Sequence, residues 1–201
     1  MTVLADPVAP ELGIHERALA ATLSCIARHG LGKTTSDDVA REAGCSRATL
    51  YRYFGDKQQL VVAAFRAEAQ RVTERVLGAA AACDTLEDTV VTVLATAADE
   101  LRDHPALSFV AAFEPERLLP HLTFSGGDRF LARASSALAP ALERFVGRDA
   151  ERAAEWIVRI GLTLWLCPAG PVSMNDRDQL RAYVRAFVLP AIEPIPALPR
   201  G

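Results

Sequence analysis

Apolar residues return at three- and four-residue spacing along almost the whole chain, and no strand-length run alternates convincingly. The pattern predicts an all-α protein. A first helix is expected over Ile14 to Arg28, with Leu19, Leu23 and Ile26 on one stripe and Gly30 supplying a left-handed residue beyond its end. In "TTSDDVAREAG" the Thr35-x-x-Asp38 spacing is a capping box for a short helix that carries Val39 and Ala43 on one face and stops at Gly44. Ser46 can cap the next helix, "RATLYRYF", in which Leu50 and Phe54 form an inward i, i+4 pair. Together these two make a helix-turn-helix.

From Asp56 a long helix is predicted to run past Val76, with Leu60, Ala64, Phe65, Val72 and Leu77 as its inner side. Further helices are expected at Leu86 to Asp103, Pro105 to Phe113, Pro115 to His121, Asp128 to Phe145, Asp149 to Cys167 and Asp176 to Leu189. Pro140 should kink or break the one that contains it, and the closing "PAIEPIPALPRG" is too proline-rich for a helix. The expected organisation is a flexible arm over 1–12, a helix-turn-helix module over 13–57, a larger helical domain over 58–190 and a flexible tail over 191–201.

Half of the 201 residues are hydrophobic, enough for one sizeable core, which excludes disorder for most of the chain. A formal charge of -3 means that any nucleic-acid role has to come from local charge placement. The four cysteines, at 25, 45, 83 and 167, form no CxxC and fit reduced fillers of a cytoplasmic protein. The start "MTVLADPVAPELG" lacks a secretory-signal pattern. The most apolar stretch, from Trp156, is shorter than a membrane span and contains Arg159, so no membrane role is expected. The histidines show no metal-ligand spacing, and no P-loop, GxSxG, dinucleotide fingerprint or HExxH is present. Neither an enzyme nor a metal or cofactor is expected.

Local charge then becomes informative. With Leu50 and Phe54 turned inward, Arg47, Ala48, Tyr51 and Arg52 fall on the outward arc, and the hydroxyls of Tyr51 and Tyr53 reach solvent. Between Cys45 and Lys57 the cations Arg47, Arg52 and Lys57 face only Asp56. Arginines fork onto guanine edges, while hydroxyls and lysines bind phosphate oxygens, so this arc suits a DNA duplex.

The run "GLGKTTSDDVAREAGCSRATLYRYFGDKQQLVVAAF" closely resembles the DNA-binding module of the tetracycline-repressor-like (TetR) family of bacterial regulators. The features that carry it are the Thr-Thr pair, Val39-Ala40, Ala43-Gly44, Ser46, Thr49-Leu50-Tyr51, Tyr53-Phe54 and Lys57 before Leu60. Cys45 departs from the small aliphatic residue usual there, and a buried thiol is the expected substitute. The resemblance implies a base-reading set of Arg47, Ala48 and Arg52, with Ala48 against a thymine methyl. Ser36, Ser46, Thr49, Tyr51, Tyr53 and Lys57 are the implied phosphate binders, and Asp37 and Asp38 are unfavourable beside phosphate.

The segment Asp149 to Cys167 is apolar nearly all round and needs covering on two sides, while in Asp176 to Leu189 the residues Leu180, Val184 and Phe187 form a stripe flanked by Tyr183 and Val188. The resemblance implies that they pair with a second subunit through Trp156, Ile160, Leu164, Leu180, Val184 and Phe187, giving a homodimer on a palindromic operator of double-stranded DNA. It also implies a small-molecule effector, mostly apolar, near Phe109, Phe113, Leu118, Leu122, Phe130, Leu131 and Trp165, with Glu114, Arg117 or His121 as polar anchors. The expected function is a transcription regulator, a repressor released by its ligand. One alternative is a DNA-binding dimer without an effector, which no apolar metabolite would stabilise. The other is a helical lipid carrier or enzyme with a vestigial N-terminal module, which would retain no DNA at low salt.

Overall fold

In the computed structural model the described residues are 13–122, 124–167, 170 and 172–192, with the backbone alone described for 118, 120–122 and 124–127. The expected arm over 1–12 and residues 193–201 of the expected tail lie outside them. All regular structure among the described residues is helical. Two compact units divide the chain between Glu68 and Ala69.

The first unit starts with α1 (Ile14–Lys33), which buries Leu19, Leu23 and Ile26 together with Ala18, Ala21 and Cys25. α1 does not stop at Arg28 as expected. Gly30 takes φ 80° and ψ 163°, a conformation that a side chain would disfavour, and this kink lets a last helical turn reach Lys33. Thr34 closes that turn, its hydroxyl donating to the Gly30 carbonyl at 2.7 Å and its N–H to the same oxygen at 3.2 Å. α2 (Ser36–Glu42) opens on the expected capping box, the Asp38 N–H donating to the Thr35 hydroxyl at 3.2 Å and the Thr35 N–H to the Asp38 carboxylate at 3.2 Å. It ends in a Schellman turn, with Gly44 N–H on the Arg41 carbonyl at 3.3 Å and Cys45 N–H on the Ala40 carbonyl at 2.9 Å.

Side chains tie α2 to α1. Arg17 Nε donates to the Ala43 carbonyl at 3.2 Å, and Glu42 pairs with Arg28 while accepting the Cys25 thiol at 3.4 Å. α3 (Arg47–Phe54) follows, and then α4 (Lys57–Ala81), whose cap Asp56 accepts the Gln59 N–H at 2.8 Å. The first turns of α4 bury Leu60, Val61 and Ala64, and the first unit includes residues through Glu68.

In the second unit α4 continues into α5 (Leu86–Asp103), α6 (Pro105–Phe113), α7 (Pro115–Leu122), α8 (Phe124–Val146) and α9 (Ala150–Leu166). Its core joins Val76, Ala80, Val90, Leu94, Leu138, Leu142, Val146, Ala154 and Ile157. α8 is continuous through Pro140, so the expected break is absent. An interior proline costs about 3 kcal/mol, but Leu138, Leu142 and Val146 are all buried on the same helix, and full burial of such side chains stabilises by roughly 1.5–3 kcal/mol each. Packing wins.

The chain then forms α10 (Arg177–Tyr183), a wide turn over Val184–Val188 and α11 (Leu189–Ile192). The wide turn is a π-helix, seen in the Leu189 N–H reaching back to the Val184 carbonyl. Helix thus extends through Pro190 to Ile192, into the segment expected to be tail. α10 is pinned to α5 by charge. Glu87 accepts Arg181 Nη1 at 2.8 Å and Arg185 Nε at 3.0 Å, and Asp88 accepts Arg181 Nη1 at 2.7 Å.

Arg185, and after it Arg181, hold the Glu87 carboxyl below its ordinary range. A carboxylate depressed on folding contributes stability above its unfolded value, about 4.3, and that contribution is lost as pH falls through the folded value. Glu87→Gln is therefore expected to lower the thermal midpoint at neutral pH, with the gap to wild type closing below about pH 4. Thermal melts followed by circular dichroism check this, and a gap independent of pH would assign Glu87 to packing instead.

Candidate nucleic-acid interface

α3 has one hidden side and one open side. Leu50 is 3% exposed and Phe54 8%, whereas Tyr51 is 39% and Tyr53 49% exposed, and Arg47, Ala48 and Arg52 are exposed as well. Phe54 is fixed from outside α3 by stacking on His15 of α1, ring centroids 4.9 Å apart. Ser46 caps the helix by accepting the Thr49 N–H at 3.1 Å and shares a 2.9 Å hydroxyl contact with Thr49. The hydroxyls of Ser46 and Thr49 therefore also serve the cap.

The guanidinium groups are arranged by their neighbours. Arg47 Nη2 donates to the Tyr51 hydroxyl at 3.0 Å, its Nη1 to Asp37 at 3.3 Å, and its carbon lies 5.2 Å from the Tyr51 ring centroid. Arg52 lies 5.4 Å from the ring centroid of Tyr53. Hydrogen bonding from Arg47, then from Ser36, pulls the Tyr51 phenol below its ordinary value, because the phenolate is the form that the cation favours. Lys57 Nζ donates to the Leu31 carbonyl at 3.3 Å, so the ammonium is docked on the end of α1. Ser36, Leu50, Tyr51, Asp56, Lys57 and Leu60 line a shallow open depression beside it.

The arrangement is a short rod that presents two guanidinium groups and two phenols over a covered apolar face, with Lys57 at the start of the next helix. Guanidinium groups can fork onto base edges, and hydroxyls and ammonium groups can bind phosphate oxygens. Comparison with known proteins decides what it belongs to. The sequence profile described as bacterial regulatory proteins, tetR family, matches residues 18–64. An uncharacterized HTH-type transcriptional regulator of Mycobacterium tuberculosis is 31% identical over 168 residues, which is 82% of this chain and 78% of that protein. The chain belongs to the tetR family of bacterial regulatory proteins.

This tetR-family chain is a DNA-binding transcriptional regulator. It is also similar to the HTH-type regulator BetI of Agrobacterium fabrum, 43% identical over 61 residues, covering 28% of this chain and 30% of that one. In fold it is similar to the TetR family repressor AlkX from Dietzia, with a TM-score of 0.68, 23% identity and coverage of 94% of this chain and 97% of the other. The fatty acid degradation regulator FadR of Bacillus halodurans gives a TM-score of 0.59 at 16% identity, covering 86% and 98%.

Outside α3 the regulator departs from several sequence expectations. Cys45 is half-buried rather than buried. Leu180 and Val184, expected at a subunit contact, are fully buried in the chain's own core, and Val188 joins them. The cause is the π-turn: one residue more per turn shifts the register, so Val188 completes the buried stripe and Phe187 stands 66% exposed. Trp156 is exposed, and Ile160 and Leu164 are half-buried. Of the expected effector residues, Phe109, Phe130, Leu131 and Trp165 are half-buried, but Phe113 is 72% exposed, touching Phe109 with centroids 4.9 Å apart. The side chains of Leu118 and Leu122, and that of His121, lie outside the described residues. Arg117 and Glu114 approach each other at 3.8 Å.

Among the described residues no group of three His, Cys, Asp or Glu could hold a metal, and no helix is long and apolar enough to cross a membrane. The feature that sequence reasoning missed is the Asp37–Arg47 pair. It joins residues ten apart across a turn, a spacing that no helical period connects.

The Tyr51 bond is testable in solution. In a background with Tyr53 and Tyr183 replaced by phenylalanine, Arg47→Ala should raise the pH at which Tyr51 ionises, read by ultraviolet difference titration. An unmoved midpoint would show that the bond does not persist.

Proposed function

We propose that the chain acts as a homodimeric repressor that reads a palindromic operator through α3 and leaves it when a small, mostly apolar ligand binds. The observation that carries the DNA-reading part is that α3 buries only Leu50 and Phe54 and keeps both arginines and both tyrosines outward. In this reading Arg47 and Arg52 fork onto base edges and Ala48 meets a thymine methyl. Ser36, Ser46, Thr49, Tyr51, Tyr53 and Lys57 hold phosphates, and Lys57 exchanges the Leu31 carbonyl for a charged oxygen.

Two half-sites about 34 to 36 Å apart require two copies of the module. Exposed Trp156 and Phe187, with Ile160 and Leu164 beside Trp156 on α9, supply apolar surface for a second copy. The apolar ligand is supported by the descriptions of two structural neighbours, one implicated in biodegradation of n-alkanes and one a fatty acid degradation regulator. α4 is one helix from Lys57 to Ala81 and is the route by which ligand would bias α3. The ligand must bind one arrangement better than the other, and DNA must then weaken ligand binding by the same factor.

Binding measured by fluorescence anisotropy at several salt concentrations tests the assignment of roles. Arg52→Ala is expected to cost about 1–3 kcal/mol and to relax one base position. Lys57→Ala should weaken all duplexes alike and flatten the slope of log K against log salt by about 0.9. Sedimentation tests the assembly: wild type should run as a dimer at micromolar concentration and Phe187→Glu as a monomer of unchanged helicity.

A further inference from the structure

Arg47 enters the proposed base-reading set with its guanidinium already held. Nη1 donates to Asp37 Oδ2 at 3.3 Å and Nη2 to the Tyr51 hydroxyl at 3.0 Å, while the ring of Tyr51 lies beneath the guanidinium carbon at 5.2 Å. The first anchor comes from α2 and the second from α3 itself, one helical turn on. The two acidic neighbours at the start of α2 differ in what they do. Asp38 caps Thr35 and pairs with Arg41 within its own helix, whereas Asp37 reaches across to the reading helix.

An exposed ion pair of this kind adds little to folding stability. What it does restrict is a long side chain with many rotamers, leaving the planar fork with a fixed direction. A carboxylate beside the duplex also opposes the backbone phosphates of every sequence alike, and non-specific binding is driven by those phosphates. An arginine already aimed gains only where a guanine edge stands opposite.

We propose that Asp37 is a positioning and specificity-determining residue, which aims Arg47 at a base edge and keeps it from the phosphates. The proposal rests on the reading of α3 as the base-reading helix. Its effect is to raise the ratio of specific to non-specific binding, because it weakens phosphate-driven binding more than binding at the selected site.

The test is a double-mutant cycle of wild type, Asp37→Asn, Arg47→Ala and the double variant. The probes are a duplex selected by wild type from a random-sequence pool, its single base-pair substitutions, and an unrelated duplex. Asp37→Asn should bind the unrelated duplex more tightly, with the log K against log salt slope steeper by about 0.9, as the freed Arg47 takes a phosphate. Discrimination at one base pair should fall roughly 3- to 10-fold, and that fall should vanish in the Arg47→Ala background. Asp37→Glu should restore part of the discrimination, and circular dichroism melts of each variant should match wild type. Unchanged discrimination in Asp37→Asn, or the same fall with and without Arg47, overturns the proposal alone, provided that wild type selects a sequence. A wild-type chain that retains no duplex at low salt overturns the DNA-reading assignment and the proposal with it.

Discussion

Eight residues are too few for a helix to hold itself together in water, so α3 exists only because its surroundings make it. Leu50 and Phe54 are covered, His15 stacks on Phe54, Ser46 supplies the first-turn acceptor and the Schellman turn after α2 delivers the chain at the right angle. Hiding those two side chains on an eight-residue helix settles where all the others must point. The outward arc of arginine and tyrosine is therefore a consequence of packing, and its function follows from its composition.

The caps and the core of the first unit were legible because they depend on neighbours in sequence. Thr35 with Asp38, Ser46 with Thr49 and Asp56 with Gln59 each act over three residues, and the Leu50–Phe54 pair over four. Helix positions in the second unit were legible from apolar spacing, with α5 observed over the expected Leu86 to Asp103 and α6 over the expected Pro105 to Phe113. What escaped depends on contacts from elsewhere. Pro140 looks like a break until the burial of Leu138, Leu142 and Val146 is known, and the extension of α1 to Lys33 depends on Thr34 closing over the Gly30 kink.

In the interface the identities of the exposed residues could be read from periodicity, but their mutual arrangement could not. Asp37 read as a mild liability near phosphate, and its geometry makes it the partner of Arg47. Lys57 read as a phosphate binder, and its ammonium rests on the Leu31 carbonyl. Both facts arise from how helices meet, for which one chain of letters holds no signal. The family assignment does not depend on these details. It rests on the profile over residues 18–64 and on a relative matched over most of both chains.

The wide turn over Val184–Val188 sets which aromatic rings the far end of the chain presents. Tyr183 and Phe187 touch with centroids 5.4 Å apart, and Phe187 stands in solvent although a regular helix would have carried it inward with Leu180 and Val184. This aromatic ledge is the product of a local miscount in the backbone, one residue beyond the helical repeat. Hydrophobicity alone would have hidden it, so relatives that lack the extra residue would present a different surface from nearly the same letters.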